Sequence, residues 1–343
     1  MSEEKNRQMR LLAIDGGGML GVYACAYLKA LEEHFGKRIQ DHFDLVAGTS
    51  TGGIIALGLG ANKSPAEILD FYRTYGSEIF PMAKPYSRWK VLKLWRMFCD
   101  GRRRLDQGYW YDSAPLLAAL KTVLSDADGR ELKLQDSIIR LLIPAVNAQN
   151  CEPRVFKVRF EEAEVEHLNR DPEISMIEVA MATSAAPWYL PMAMVDEKGT
   201  KYTYIDGGLW ANNPSLAAVI EALHYYVGEK RGFQSVGLLS IGLPSCAGFS
   251  NDGAYQRGVQ FVPQLLSYAM ESNKLGAHYG ASFLLDGQDD LYHRVKPGNL
   301  TSDQARRLRL DSSDSDAIEE LVMLGDHKAQ NDKNLQVIKD LFT

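Results

Sequence analysis

Residues 10–21 read RLLAIDGGGMLG: a short apolar run, three successive glycines, then the start of an apolar-periodic stretch that continues to about Phe35. This is the pattern of a buried strand feeding a helix through a tight glycine turn. The same order recurs at once. Phe43–Ala47 (FDLVA) reads as a second strand, Gly48-Thr49-Ser50-Thr51-Gly52 as a turn, and IIALGLG as a helix. Further strands are expected at Arg140–Val146, Val155–Phe160, Tyr202–Ile205 and Val236–Ile241. Helices are expected at Val22–Phe35, Ile174–Ala186, Pro214–Gly228 and Val259–Ala281, with two more ending the chain. Ser64 and Pro65 mark another helix start, as cap and first helical residue. Strand–helix alternation predicts an α/β fold, a mostly parallel sheet with helices on both faces. Such sheets place their sites at the carboxyl ends of the strands.

The chain has 343 residues, 45% hydrophobic and 24% charged, which excludes disorder, collagen and a disulfide mini-scaffold. A net charge of -6 argues against a partner that is a DNA or RNA polymer. Cys25, Cys99, Cys151 and Cys246 are too scattered for metal or redox spacing, and they suit a reducing compartment. The N-terminus MSEEKNRQMR lacks the apolar run of a signal peptide, and no apolar stretch of membrane-spanning length appears. These features predict a cytoplasmic protein. No metal-ligand constellation is visible, and no cofactor is expected.

Three motifs fall at predicted strand ends. In Asp15-Gly16-Gly17-Gly18-Met19-Leu20-Gly21 the glycines turn backbone N–H groups toward an anion, aided by the positive end of the next helix. Gly16, Gly18 and Gly21 also fit the dinucleotide fingerprint, with Asp41 or Asp44 as ribose-binding carboxylate. That reading makes the protein an oxidoreductase. A third reading is a catalytically silent lipid- or nucleotide-binding module. Gly48-Thr49-Ser50-Thr51-Gly52 is a nucleophile-elbow pattern in the strand–helix context that supports it, with Ser50 exposed at the turn. A serine nucleophile needs a base. His167, His224, His278, His293 and His327 lack a recognisable site context. Tyr204-Ile205-Asp206-Gly207-Gly208 offers instead an acid at a strand end, a candidate base in direct contact with the serine.

DGGGMLG, GTSTG and DGG in this order resemble the patatin-like phospholipases. So do Thr183-Ser184-Ala185-Ala186-Pro187, Trp210-Ala211-Asn212-Asn213-Pro214 and Ser240-Ile241-Gly242. The resemblance implies a patatin-like three-layer α/β/α sandwich, with a catalytic core over residues 1–245 and a helical extension over 246–343 packed on the same domain. It implies that Ser50 is the nucleophile and Asp206 its partner in a Ser–Asp dyad without histidine. Gly16, Gly17 and Gly18 would then line an oxyanion hole, with Gly21, Gly48, Gly52, Gly207 and Gly208 shaping the turns. The family often carries Arg or Lys where Leu20 stands here, so that side chain's oxyanion contribution is absent. The expected reaction is hydrolysis of phospholipid acyl esters through an acyl-enzyme.

Lys84–Arg104 holds eight basic residues against the single Asp100, interleaved with aromatics that include Trp89 and Trp95. This suits peripheral contact with an anionic membrane, and locates the active protein at the inner face of the membrane. Arg102, Arg103 and Arg104, followed by Tyr109, Trp110 and Tyr111, would equally suit phosphates and bases. The layout is similar to the cyclic-dinucleotide-activated phospholipases of bacterial antiphage systems. It implies such an activator, a role in antiphage defence and a homo-oligomer as one route to activation.

Overall fold

The computed structural model describes residues 7–81, 108–158, 171–228, 231–244, 261–286, 291–298 and 300–342. Its centre is one eight-stranded sheet. The strands are β1 (Gln8–Ile14), β2 (Leu45–Gly48), β3 (Arg140–Asn147), β4 (Glu152–Val158), β5 (Ala193–Glu197), β6 (Thr200–Asp206), β7 (Ser235–Ile241) and β8 (Leu291–Val295). They run in the order β5-β6-β3-β2-β1-β7-β8, with β4 paired to β3. The block β3-β2-β1-β7-β8 is parallel, as alternation predicted, whereas the pairs β3–β4, β3–β6 and β5–β6 are antiparallel.

Side chains on β1 alternate between two cores. Leu12 and Ile14 join the larger one, and Met9, Leu11 and Ala13 the other. Both faces are covered, so the strand reads as a continuous apolar run. The larger face is covered by α1 (Gly21–Phe35), α2 (Thr51–Gly60), α3 (Pro65–Ile79), α4 (Ala114–Val123) and α5 (Met176–Thr183). After the short α6 (Gly208–Ala211), α7 (Ser215–Tyr225) covers the other face together with α8 (Phe261–Leu284). The chain closes with α9 (Ser302–Arg307), α10 (Ser315–Asp332) and α11 (Gln336–Phe342). Ser64 and Glu67 form a reciprocal capping box at α3, as the cap reading anticipated.

Several boundaries differ from expectation for local reasons. α5 stops at Thr183 rather than Ala186, because Pro187 has no N–H to continue the ladder; the Thr183 carbonyl accepts the Gly207 N–H at 3.3 Å instead. β5 was not anticipated. It is a short edge strand on which Met194 is exposed between buried Ala193 and Val195. α4 was also missed. The expected strand Val155–Phe160 begins at Glu152, and its last two residues lie outside the described ones. The segment Lys84–Arg104, with Trp89, Trp95, Arg102, Arg103 and Arg104, also lies outside them.

The residues beyond 246 are not only helical. They supply β8, whose five residues pair with β7 from Gly237 to Ile241. They also supply α10, which packs along α1. Gly325 is the close-approach point of that pair, for a Cβ there would lie 2.5 Å from the Tyr23 carbonyl oxygen and 2.8 Å from Ala26 Cβ. Gly276 on α8 has open space instead. The same substitution should therefore act with opposite signs. Gly325→Ala is expected to destabilise by about 1–3 kcal/mol through overpacking, and Gly276→Ala to stabilise by about 0.5–1 kcal/mol through chain entropy. Urea unfolding midpoints check both; equal shifts would show that α10 does not lock onto α1.

Candidate active site

Ser50 sits between β2 and α2 with φ 54° and ψ -121°. A non-glycine residue held there stores on the order of 1–3 kcal/mol of strain, which the surroundings must enforce. They do so sterically. A Cβ on Gly48 would lie 2.0 Å from the Gly52 carbonyl oxygen, and one on Gly52 2.3 Å from that of Ile14. Only glycine fits on either side of the elbow. The hydroxyl of Thr183 accepts the Ser50 N–H at 3.0 Å and donates to the Pro144 carbonyl at 2.6 Å. Thr49 donates its hydroxyl to the Ala211 carbonyl at 2.5 Å.

Asp206 arrives from the opposite direction, as the last residue of antiparallel β6, paired with Ala145 of β3. Its N–H donates to the Ala185 carbonyl at 3.1 Å. The next turn must be glycine, because a Cβ on Gly207 would lie 2.2 Å from the Pro144 carbonyl oxygen. The Gly208 N–H donates to Asp206 Oδ1 at 2.6 Å. Asp206 is buried, and burial pushes its carboxyl up to about 6. The Gly208 amide and a hydrogen-bonding contribution from the Ser50 side chain pull partly the other way.

Both side chains face one slot lined largely by apolar groups, among them Met19, Ile54, Phe71, Ile79, Leu190 and Leu310, with a volume of about 70 Å³. Ligand pockets commonly run to about 300–1,000 Å³, so the slot is narrow for a large substrate. No histidine lines it among the described residues. His278 Nδ1 meets the Tyr292 hydroxyl at 2.5 Å, and His293 lies 3.6 Å from Asp332.

The glycine loop borders the same slot, but its three glycines are not equivalent. The Gly16 N–H is spent on the Asn212 carbonyl at 2.9 Å. Gly16 therefore cannot serve as an anion donor; its missing side chain instead leaves room for Ser50 and Asn212. Gly17 and Gly18 line the slot, and Gly18 has φ 55°. Neither N–H has a partner among the described residues. Gly21 lies where a Cβ would meet the Thr51 hydroxyl at 2.3 Å, so α1 packs directly on the elbow.

The geometry corrects the dinucleotide reading. Asp44 immediately precedes β2, where its carboxylate accepts the Arg10 N–H at 2.9 Å. Asp41 lies earlier still. Both carboxylates are at the amino ends of the strands, a strand's length from the glycine loop at the carboxyl end of β1. A ribose beside that loop is out of their reach. Sequence reasoning missed Thr183 and Arg294. The first lay in a quoted motif without a role, and the second had no local signal.

A second cavity, of about 650 Å³, opens beside the carboxyl ends of β7 and β8, with Asp15, Lys274, His278, Arg294 and Lys296 on its walls. No helix among the described residues is long and apolar enough to cross a membrane.

The family model described as "Patatin-like phospholipase" matches residues 12–219. Three bacterial relatives are each called a cGAMP-activated phospholipase. The one from Vibrio cholerae is 37% identical over 64% of this chain and 59% of its own length. The one from Escherichia coli is 33% identical over 62% of this chain and 56% of its own length. The one from Pseudomonas aeruginosa is 30% identical over 77% and 72%. The chain thus spans less than two thirds of the length of the first two.

The buried carboxyl makes a stability prediction. Asp206 ionises near 3.8 when unfolded and near 6 when folded. Between those values the native state keeps a proton that the unfolded chain has released. Its contribution to stability is then lost as pH rises across the window, by on the order of 3 kcal/mol. Asp206→Asn removes that proton. Urea unfolding of both proteins from pH 4 to pH 8 should show the variant gaining on the wild type up to about pH 6 and holding its advantage above. Parallel curves would contradict the burial assignment.

Proposed function

Because the chain belongs to the patatin-like phospholipase family, we propose that it is a lipid acyl hydrolase that cleaves membrane phospholipid esters through Ser50 and Asp206. The observation that carries this reading is the buried carboxyl moved toward neutrality in the same apolar slot as a serine on a strained elbow. A carboxylate near its reference value of about 4 is a weak base toward a hydroxyl. Raised to about 6, Asp206 binds the serine proton better while staying mostly ionised at neutral pH.

In the proposed cycle Ser50 Oγ attacks the ester carbonyl as Asp206 takes its proton. The tetrahedral oxyanion accepts hydrogen bonds from the N–H groups of Gly17 and Gly18. Each such donor is worth about 3–4 kcal/mol in the transition state. The positive end of α2, immediately after Ser50, adds to the field. The proton passes from Asp206 to the departing alcohol oxygen. Water then attacks the acyl-enzyme with Asp206 again as base, releasing the fatty acid and restoring Ser50. The departing alcohol, released before water attacks, is the lysophospholipid: glycerol with its head group and remaining acyl chain.

Activation by a cyclic dinucleotide is supported by the names of the three bacterial relatives and by the narrow slot, which must widen to admit an acyl chain. The second cavity has room for such a ligand and presents Lys274 and Lys296 to its phosphates. A ligand shifts the protein toward an open state only by binding that state more tightly.

Ser50→Ala and Asp206→Ala are each expected to lower turnover of a short nitrophenyl ester by at least a thousandfold while retaining the native circular dichroism spectrum. Wild-type turnover should rise with pH through about 6 and level off, because the base works only when ionised. Near-wild-type turnover in Asp206→Ala would sink the dyad. Fatty-acid release from anionic phospholipid vesicles should rise at least tenfold on adding cGAMP; unchanged release would remove the activation reading and leave the hydrolase.

A further inference from the structure

Arg294 lies on β8, in register with Ser240 on β7 and, through it, with Ala13 on β1. Its guanidinium grips Asp15, the residue that opens the glycine loop, with both ends of the fork. One nitrogen donates to Oδ1 at 2.7 Å and the other to Oδ2 at 2.6 Å. The first also donates to the Ser240 hydroxyl at 2.7 Å, which meets the Ser215 hydroxyl at 2.6 Å. Gly242 makes the room, for a Cβ there would lie 3.0 Å from the guanidinium nitrogen. The Ser240-Ile241-Gly242 stretch is thus the seat of this arginine. Arg294 lies outside the residues matched by the family model.

The pair is nearly dry, with side-chain exposures of 11% for Arg294 and 1% for Asp15. A buried ion pair is weak evidence for stability, because desolvating both charges offsets most of their attraction. Its position gives it another job. Asp15 precedes Gly17 by two residues, and a bare carboxylate there would oppose the negative charge that develops on the oxyanion. Leu20 brings no cation to the loop.

We propose that Arg294 is a positioning residue for hydrolysis, which holds and neutralises Asp15 so that Gly17 and Gly18 present their N–H groups to an uncharged surround. This rests on the hydrolase reading above. It assigns to β8 a part in the chemistry that the motifs of residues 15–21, 48–52 and 206–208 do not contain.

The experiment compares wild type, Arg294→Met, Asp15→Asn and the double variant on a short soluble ester. Fluorophosphonate labelling of Ser50 and urea midpoints are measured on the same preparations, with cGAMP present throughout. Arg294→Met should lose at least tenfold in kcat with KM within twofold, since the hole acts on the transition state rather than the ground state. The double variant should regain at least fivefold over Arg294→Met, because the stranded carboxylate is gone. A merely structural pair would also be non-additive, but its losses would lie in the urea midpoint and the folded fraction, with kcat per labelled Ser50 unchanged. Arg294→Lys keeps the charge without the fork and should lose three- to tenfold; it carries the test if Arg294→Met does not fold. Wild-type kcat in a folded Arg294→Met or Arg294→Lys, or no recovery in the double variant, overturns the proposal. A wild type that neither turns over ester nor accepts the label refutes the hydrolase reading itself, and the inference with it.

Discussion

One edge of β3 carries two strands end to end. Its first half pairs with β2, from Arg140 to Leu142, and its second half with β6, from Ala145 to Asn147. β4 occupies the opposite edge along nearly the whole length. β2 and β6 run toward each other, so the elbow after β2 and the final residue of β6 converge at the gap between them. Ser50 and Asp206, 156 positions apart in sequence, share one slot for that reason. Pro144 lies at the gap. Its carbonyl takes the Thr183 hydroxyl there, so the N–H it lacks would also have faced the gap and not a ladder partner. A proline inside a central strand is tolerated only under such a condition.

The gap is sealed by carbonyl and amide groups rather than by charge. Thr183 ties the Ser50 amide to β3 and, through its own carbonyl, to Gly207. Ala185 holds the Asp206 amide, and Asn212 holds Gly16. Each buried backbone group so used is one that cannot be left unpaired without a penalty of about 1–3 kcal/mol. The network therefore keeps the strained elbow and the desolvated carboxyl in place against their own preferences. Local strain and a carboxyl held above its usual pKa both lower stability at neutral pH, and both are features a reactive serine requires.

The far side of the sheet matters as much. The glycine loop is anchored at Asp15 by an arginine from β8, and α10 packs on the helix that the loop feeds. The C-terminal segment thus completes the sheet and braces the loop from behind. On that side it also lines the larger cavity, so the loop lies between the slot holding Ser50 and a chamber walled by both charged and apolar groups. Any molecule seated in the chamber would touch the residues that hold the loop.

The strand–turn–helix order at residues 10–21 and 43–60 was legible in the sequence because both strands are buried on two faces and both turns demand glycine. Local rules suffice there: apolar runs mark buried strands, and small residues mark close approach. The candidate nucleophile, the strand-end acid and the helix cap at Ser64 were legible from local rules too, whereas the reciprocal bond from Glu67 came with the structure. β5, the antiparallel pairings and the division of labour among Gly16, Gly17 and Gly18 were not. Those depend on which carbonyl each N–H meets, and Asn212 is nearly two hundred residues from Gly16. Arg294 was invisible too, since its partner is 279 positions away and nothing in LYHRV marks it. The acidity of Asp206 belongs to the tertiary structure alone, because it comes from the exclusion of water by groups drawn from several distant segments.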